Sequence, residues 1–294
     1  MQNSNYILSC DIGGSHITSA IVETNTWKIL DETITRSLVN SLEDAKSIFQ
    51  DWTTNMKSCL GKIDQEVKQI GIAAPGPFDY ENGVALMKGQ SKYDSLYQME
   101  VTAPIREGLG NDHLNIRFIN DAAAFLQGEV FGSGLHQEEV ILGITLGTGL
   151  GSAVWKQGSK AFDAELWDTP YRDSIFEEYL VTRWLVKRFE ELSGIHERGL
   201  REILDKYGDR PETEQLLNEY RQQLLDFIHF FSKKHQSRHF IIGGNIARAW
   251  DRIFPEKKCL HPFEIQVGKY QEHAAIIGAA SLFLNGTHST TTTR

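Results

Sequence analysis

Asp11-Ile12-Gly13-Gly14-Ser15 stands between two β-prone runs, Tyr6–Cys10 and Ile17–Val22. Strand, glycine turn, strand reads as a hairpin. The same order returns downstream. Val140–Thr145 reads as a strand, Leu146-Gly147-Thr148-Gly149-Leu150-Gly151 as a glycine turn, and Ser152–Trp155 opens another strand. The two turns lie about one domain length apart. The chain therefore reads as two similar halves, each opening on a strand–glycine turn–strand unit.

Other elements follow from periodicity and punctuation. Lys28–Thr35 predicts a third strand, and Ser41–Leu60 a helix with Leu42, Ala45, Ile48, Phe49, Trp52 and Met56 on one face. Gln69–Ala73 reads as a strand entering the turn Ala74-Pro75-Gly76-Pro77. Phe78 to Ala103 is a mixed loop region. Asn115–Ile119 reads as a strand delivering Asn120-Asp121 to a helix over Ala122–Val130. The second half turns helical, with Ser174–Leu192 and Glu212–Lys234 as helices and Gly208 and Pro211 breaking the pattern between them. Phe240–Ile242 is a strand ending at Gly243-Gly244-Asn245, and Ala274–Phe283 a last helix. The low-complexity end of the chain is expected to fray.

The 294 residues suggest about two domains. Hydrophobic residues make up 40%, and 15 Phe, 9 Tyr and 6 Trp supply bulk for real cores. Thirty Lys+Arg against 39 Asp+Glu give a net charge of −9, which argues against a nucleic-acid partner. No apolar run is long enough for a membrane span, and Met1–Asn5 has no signal-peptide pattern. Cys10, Cys59 and Cys259 form no CxxC pair and no disulfide framework, so a cytoplasmic location is expected.

Five features can do chemistry, and each has a plain structural reading beside it. Glycines at 13 and 14 let backbone N–H groups approach a phosphate, and Asp11 can orient hydrated Mg²⁺. The alternative is an ordinary hairpin turn. Gly147-Thr148-Gly149 offers the same backbone approach plus a hydroxyl, but matches neither a Rossmann fingerprint nor a P-loop. Asp121 at a strand's C-terminal end can serve as a general base, with Asn120 as a sugar ligand. Asn and Asp are equally good helix N-caps. Gly243-Gly244 can lie near a nucleotide or allow tight packing. Glu165, Asp168 and Glu177 can accept hydrogen bonds from sugar hydroxyls, while Ser174…Glu177 also fits a capping box.

The order of these features is more telling than any one of them. Asp11-Ile-Gly-Gly-Ser15, Gly71-Ile-Ala-Ala-Pro-Gly-Pro77, Asn120-Asp-Ala122, Leu146-Gly-Thr-Gly-Leu-Gly151, Ile242-Gly-Gly244 and Ile277-Gly-Ala-Ala280 together resemble the ROK (repressor, open reading frame, kinase) family of sugar kinases, from about Tyr6 to Phe283. The resemblance implies an α/β, two-lobed actin/hexokinase-like (ribonuclease H-like) ATPase fold with a central cleft. Its lobes would be 1–121, completed by the helix near 273–285, and 122–272, followed by a flexible tail at 286–294. It implies ATP and Mg²⁺ as cofactors, with Gly13, Gly14, Ser15, Gly147, Thr148, Gly149, Gly243 and Gly244 near the nucleotide. Asp11 would place Mg²⁺ through water and Asp121 would be the base. The acceptor would meet Gly76, Asn120, Asp121, Glu165, Asp168 and Glu177. A homodimer is expected on the same ground.

Two departures fall on sugar recognition. Asp168 stands where relatives have a histidine that touches sugar and ligates zinc, and the zinc cysteines are absent, so no Zn²⁺ site is expected. Gln90-Ser91-Lys92-Tyr93 replaces a stretch where relatives often place an asparagine. Lys92, Tyr93, Asp94 and Tyr97 could line an altered pocket or form a solvated loop with packed rings. The leading expectation is glucose phosphorylation at O6. N-acetylglucosamine, N-acetylmannosamine or fructose are alternative acceptors, and a catalytically idle sugar sensor is the alternative of another class. A repressor of the same family would need a DNA-binding module, for which the five residues before the first strand leave no room.

Overall fold

The computed structural model describes residues 5–89 and 92–284. Gln90-Ser91 and the expected tail at 286–294 lie outside them. The chain divides into two compact units: Met1–Gln137 with Gln157–Phe162 and Glu272–Arg294, and Glu138–Lys156 with Asp163–Gln271.

In the first unit β1 (Tyr6–Ile12) and β2 (His16–Glu23) form the antiparallel hairpin, closing at the Ile12–Ile17 pair. The expected third strand is two short ones, β3 (Lys28–Ile29) and β4 (Thr35–Leu38), both paired to β2. Thr33 causes the split. Its buried hydroxyl accepts the Ile21 N–H at 2.9 Å and donates to Leu30 O at 2.6 Å, so a side chain occupies a ladder position. Helix α1 (Ala45–Leu60) starts later than Ser41 because Asp44 caps it, accepting the Ser47 N–H at 2.9 Å.

β5 (Gln69–Ala74) runs parallel to β1. The region expected as loop holds a small hairpin, β6 (Phe78–Asp79) with β7 (Val84–Ala85), and a 3₁₀ turn at Asp94–Leu96. Helix α2 (Thr102–Leu109) follows, unannounced by any apolar stripe; the Glu100 carboxylate takes its first N–H groups. β8 (Asn115–Asn120) then adds in parallel, giving the order β3-β2-β1-β5-β8.

Leu8, Cys10, Ile12, Ile17 and Ile21 join a buried cluster with Ile48, Phe49, Trp52 and Met56 of α1. Strand residues alternate faces. On the other face Ser9 Oγ donates to Ile276 O at 2.5 Å, in the C-terminal helix Ala274–Ala280, which is buried throughout. That helix tightens into a 3₁₀ turn at Ser281–Phe283, where the expected helix continued. Helix α3 (Asp121–Gly132) crosses it almost backbone to backbone. A Cβ on Gly128 would lie 1.8 Å from Ala274 O, and one on Gly278 1.9 Å from Ala124 O. Arg117 fastens that 3₁₀ turn by donating to Leu282 O.

The second unit repeats the plan. β9 (Val140–Leu146) and β10 (Leu150–Lys156) form a hairpin closing at Leu146–Leu150. β11 (Phe162–Asp163) lies at the edge. A two-strand ribbon follows, β12 (Pro170–Tyr171) with β13 (Ser174–Ile175). The helix expected over 174–192 is therefore β13, then α4 (Glu177–Leu180) and α5 (Thr182–Ser193), with Val181 extended between them. Helices α6 (Leu200–Tyr207) and α7 (Pro211–His235) follow, and α7 buries the apolar stripe visible in the sequence. β14 (His239–Gly243) pairs parallel to β9. After it come a 3₁₀ turn at Ile246–Ala249, helix α8 (Trp250–Ile253) and β15 (Glu264–Val267). The order β11-β10-β9-β14-β15 reproduces that of the first sheet, as the repeated hairpin signature predicts.

The glycine crossing yields a test. Gly128→Ala or Gly278→Ala is expected to destabilise the protein toward the upper end of about 1–3 kcal/mol, because neither clash meets a movable side chain. Denaturant unfolding of each variant measures it.

Candidate active site

In the first unit the candidate residues gather at the C-terminal ends of the parallel strands. Gly13, Gly14 and Ser15 are exposed at the tip of the first hairpin. The Gly13 N–H donates to His16 O at 2.8 Å, which closes the turn. Tyr93 holds it from behind. Its ring is fully buried against Trp52, and its hydroxyl donates to Gly13 O at 2.6 Å. Of the readings open for residues 92–97, Tyr93 is thus a packed ring that braces the glycine turn. Tyr97 is exposed, under the Lys88 ammonium.

Asn120 caps α3. Its Oδ1 accepts the Ala123 N–H at 3.1 Å, and its Nδ2 donates to Tyr80 Oη at 3.2 Å. The Tyr80 hydroxyl in turn donates to Ala74 O at 3.1 Å. This chain of bonds ties the turn containing Gly76 to the start of the helix. A Cβ on Gly76 would come within 3.2 Å of the Tyr80 hydroxyl. Sequence reasoning missed Tyr80; a lone tyrosine after a Pro-Gly-Pro turn gives no signal of its partner.

Asp121 follows the cap, and its Oδ1 accepts the Ala122 N–H at 2.7 Å. Its side chain keeps exposed surface, yet surrounding protein still raises its pKa by desolvation, against the lowering effects of the Ala122 N–H and the Lys92 ammonium. Desolvation, with a smaller push from the Asp121 charge and against the pull of Arg36, raises Asp11 to about 7. The Asp121 charge is thus felt at Asp11, although β5 stands between β1 and β8 in the sheet of that unit.

In the second unit the Gly147–Gly151 turn is stitched to the start of α5. The Thr182 N–H and hydroxyl both donate to Gly147 O, at 2.8 and 2.9 Å. This explains the extended Val181: Thr182 spends its N–H outside the helix. Glu177 Oε2 accepts the Leu150 N–H at 3.0 Å, and Arg183 bridges Thr148 O and Glu177 Oε1, each at 3.2 Å. Glu177 does not close the capping box with Ser174 that the sequence suggests. Ser174 lies in β13, and the Glu177 N–H goes to Trp167 O instead. Gly244, at φ +87°, packs against the same turn; a Cβ there would lie 2.3 Å from Leu146 O. Gly243 pairs with Thr145 in the sheet.

Glu165 and Asp168 are exposed on the segment before the β12–β13 ribbon, with the Glu165 N–H donating to Asp163 Oδ1 at 2.9 Å. An open cavity of about 460 Å³, lined by Ala247, Arg248, Trp250, Asp251, Val267 and Gln271, lies just beyond Gly243-Gly244. Sequence reasoning missed it, because the loop that follows β15 gives no motif.

The ROK family profile matches residues 7–162, and the chain belongs to that family. The chain is 24% identical to a glucokinase of Thermotoga maritima, over 94% of this chain and 96% of that one. The fold is shared with a ROK family glucokinase from Streptomyces griseus solved with glucose and AMPPNP, at 18% identity, TM-score 0.70, covering 94% of this chain and 98% of that one. It is shared also with an inorganic polyphosphate/ATP-glucomannokinase from Arthrobacter sp. strain KM, at 23% identity and TM-score 0.70, covering 94% and 97%. The architecture is thus the actin/hexokinase-like fold. Among the described residues no helix is long and apolar enough to cross a membrane.

The Asp11 shift has a sign that can be measured. An acid whose folded pKa of about 7 stands above its ordinary 3.8 supports the fold below the lower value. That support is lost as pH rises through the folded value. Without nucleotide or divalent cation, the wild-type melting temperature is expected to fall more between about pH 5 and about pH 8 than that of Asp11→Asn. Parallel melting curves across that range check it.

Proposed function

We propose that this chain transfers the γ-phosphoryl group of ATP to a hexose hydroxyl, with glucose O6 the leading acceptor. Asp121 is the observation that supports the reading most directly: a carboxylate oriented by the Ala122 N–H, in the field of a second acid beside a glycine turn. Family membership and full-length similarity to a glucokinase supply the class, a sugar kinase.

In the proposed reaction the hydroxyl oxygen bonds to the γ-phosphorus, and the bond from that phosphorus to the β-phosphate oxygen breaks. ADP leaves, and the hydroxyl proton passes to Asp121. Phosphoryl transfer needs positioning and charge compensation more than covalent chemistry. Gly14 and Ser15 would offer backbone donors to phosphate on a turn that Gly13 closes and Tyr93 braces. Thr148 and Gly149 would do the same in the second unit, on a turn that the Gly147 N–H closes onto Gly149 O and that Glu177, Thr182 and Arg183 hold. The cavity by Trp250 is the candidate for the adenosine. Asp11 suits Mg²⁺, which retains waters and takes few protein carboxylates; bound there it would offset phosphate charge.

For the acceptor, Asn120 and Gly76 are the candidates in the first unit and Glu165, Asp168 and Glu177 in the second. The stretch Gln90-Ser91-Lys92-Tyr93 and Asp168 depart from the family's pattern, so the test is a panel. ADP release is measured with Mg·ATP against glucose, fructose, mannose, both N-acetylhexosamines and a no-sugar blank, with polyphosphate as a second donor. One strong signal supports the reading and names the acceptor. Sugar binding without turnover on any member favours the idle sensor.

Two outcomes test Asp121 itself. Asp121→Asn is expected to stay folded and lose about 10²–10⁴-fold in kcat, the share of a general base. Because the base works ionised and its pKa is raised, kcat/KM is expected to fall on the acid side at a pH above the ordinary aspartate range. Wild-type activity that persists undiminished to about pH 4 overturns that role.

A further inference from the structure

Arg36 is a cation the fold does not use. It lies on β4 directly opposite Thr18 of β2, and Thr18 lies directly opposite Asp11 of β1. Residues directly opposite share one face of a sheet. Asp11, Thr18 and Arg36 therefore form a row across three neighbouring strands. The face is the one on which Ser9 meets the C-terminal helix, since Ser9 and Asp11 are two residues apart. α1 covers the other face. Two strand spacings put the Arg36 backbone roughly 10 Å from that of Asp11. A long side chain and a small ligand span that gap together.

Neither end of the row is committed. Arg36 is exposed, and its side chain makes no hydrogen bond or ion pair with any described residue. Arg117, Arg183, Arg188, Arg221 and Arg252, by contrast, each bond a carbonyl or carboxylate of the fold. The Arg36 charge is felt at Asp11 all the same. A carboxylate and a guanidinium on one face, at the glycine-turn end and unpaired with each other, suit a ligand that carries both charges. A metal-bound phosphate is such a ligand.

We infer that Arg36 binds the terminal phosphoryl group of the nucleotide, while Asp11 would hold Mg²⁺, and takes up the group's charge during transfer. The inference rests on the reading of this site as an ATP site. Its physical ground is charge balance: Asp11 and Asp121 both repel a phosphoryl group, so a cation is needed in the same place. The planar guanidinium matches two phosphoryl oxygens better than a point charge does. The bonds made and broken are those already given; Arg36 forms no covalent bond and moves no proton.

The test separates the terminal phosphate from the rest of the nucleotide. With Mg²⁺ present, calorimetry on the full chain measures AMPPNP and ADP binding to wild type, Arg36→Gln and Arg36→Lys. Arg36→Gln is expected to weaken AMPPNP about tenfold or more, leave ADP within about twofold, and lower kcat by about 10²-fold or more. Arg36→Lys is expected to recover part of both losses. Guanidinium ion is expected to restore part of the turnover of Arg36→Ala, which a merely structural role would not allow. Equal weakening of AMPPNP and ADP, or no weakening of either, overturns the inference. If wild type binds neither nucleotide, the ATP-site reading and this inference fall together. If it binds both but phosphorylates no sugar, only the acceptor reading fails, and the AMPPNP-to-ADP comparison still decides for Arg36.

Discussion

The first unit depends on one crossing. Helix α3 and the C-terminal helix approach so closely that Gly128 faces Ala274 O and Gly278 faces Ala124 O without room for a methyl group. Interiors are packed like organic crystals, so a contact of this kind admits almost no slack. Asp121 is the first residue of α3. Its position relative to Asp11 is inherited from the way α3 is pressed onto the C-terminal helix, and from the way Ser9 ties that helix to β1. The proposed base is thus placed by backbone contacts some distance from it, and the Asn120 cap only sets its final orientation.

The second unit solves a similar problem with polar groups. A glycine turn that is to meet a ligand must keep an irregular backbone shape, and backbone groups inside protein need partners. Thr182 supplies two donors to Gly147 O, Arg183 one to Thr148 O, and Glu177 accepts from Leu150. A break in the helical chain at Val181 is the consequence. Glu177 therefore has a structural task at the turn, alongside any contact it makes with a sugar.

Electrostatics distinguishes the first unit's site from an ordinary turn. Two carboxylates in one another's field, one of them raised to about 7, are a poor arrangement for stability alone. Such perturbation gathers at functional sites. Arg36 and Lys92 temper it without pairing with either acid among the described residues. The site therefore presents both signs of charge to whatever enters.

Much of this was legible in the residues. Both glycine hairpins, the repeat between the halves, the Asn120-Asp121 strand end and the α7 stripe follow from local chemistry: turn residues, alternation and a 3.6-residue period. Those signals act between neighbours in the chain, so one sequence displays them. The misreadings lie where a distant group decides a local outcome. Thr33 splits a strand by bonding Ile21, Glu177 leaves its capping box for Leu150, and Val181 is extended because Thr182 serves Gly147. Tyr93 looks like a loop residue until its hydroxyl reaches Gly13. The sequence by itself determined the two glycine hairpins, the strand that ends at Asn120-Asp121 and the amphipathic helix α7, and which residue types stand at their ends. Only the tertiary structure decided which of those residues meet, because hydrogen bonds and charge fields act through space and carry no trace in the local pattern.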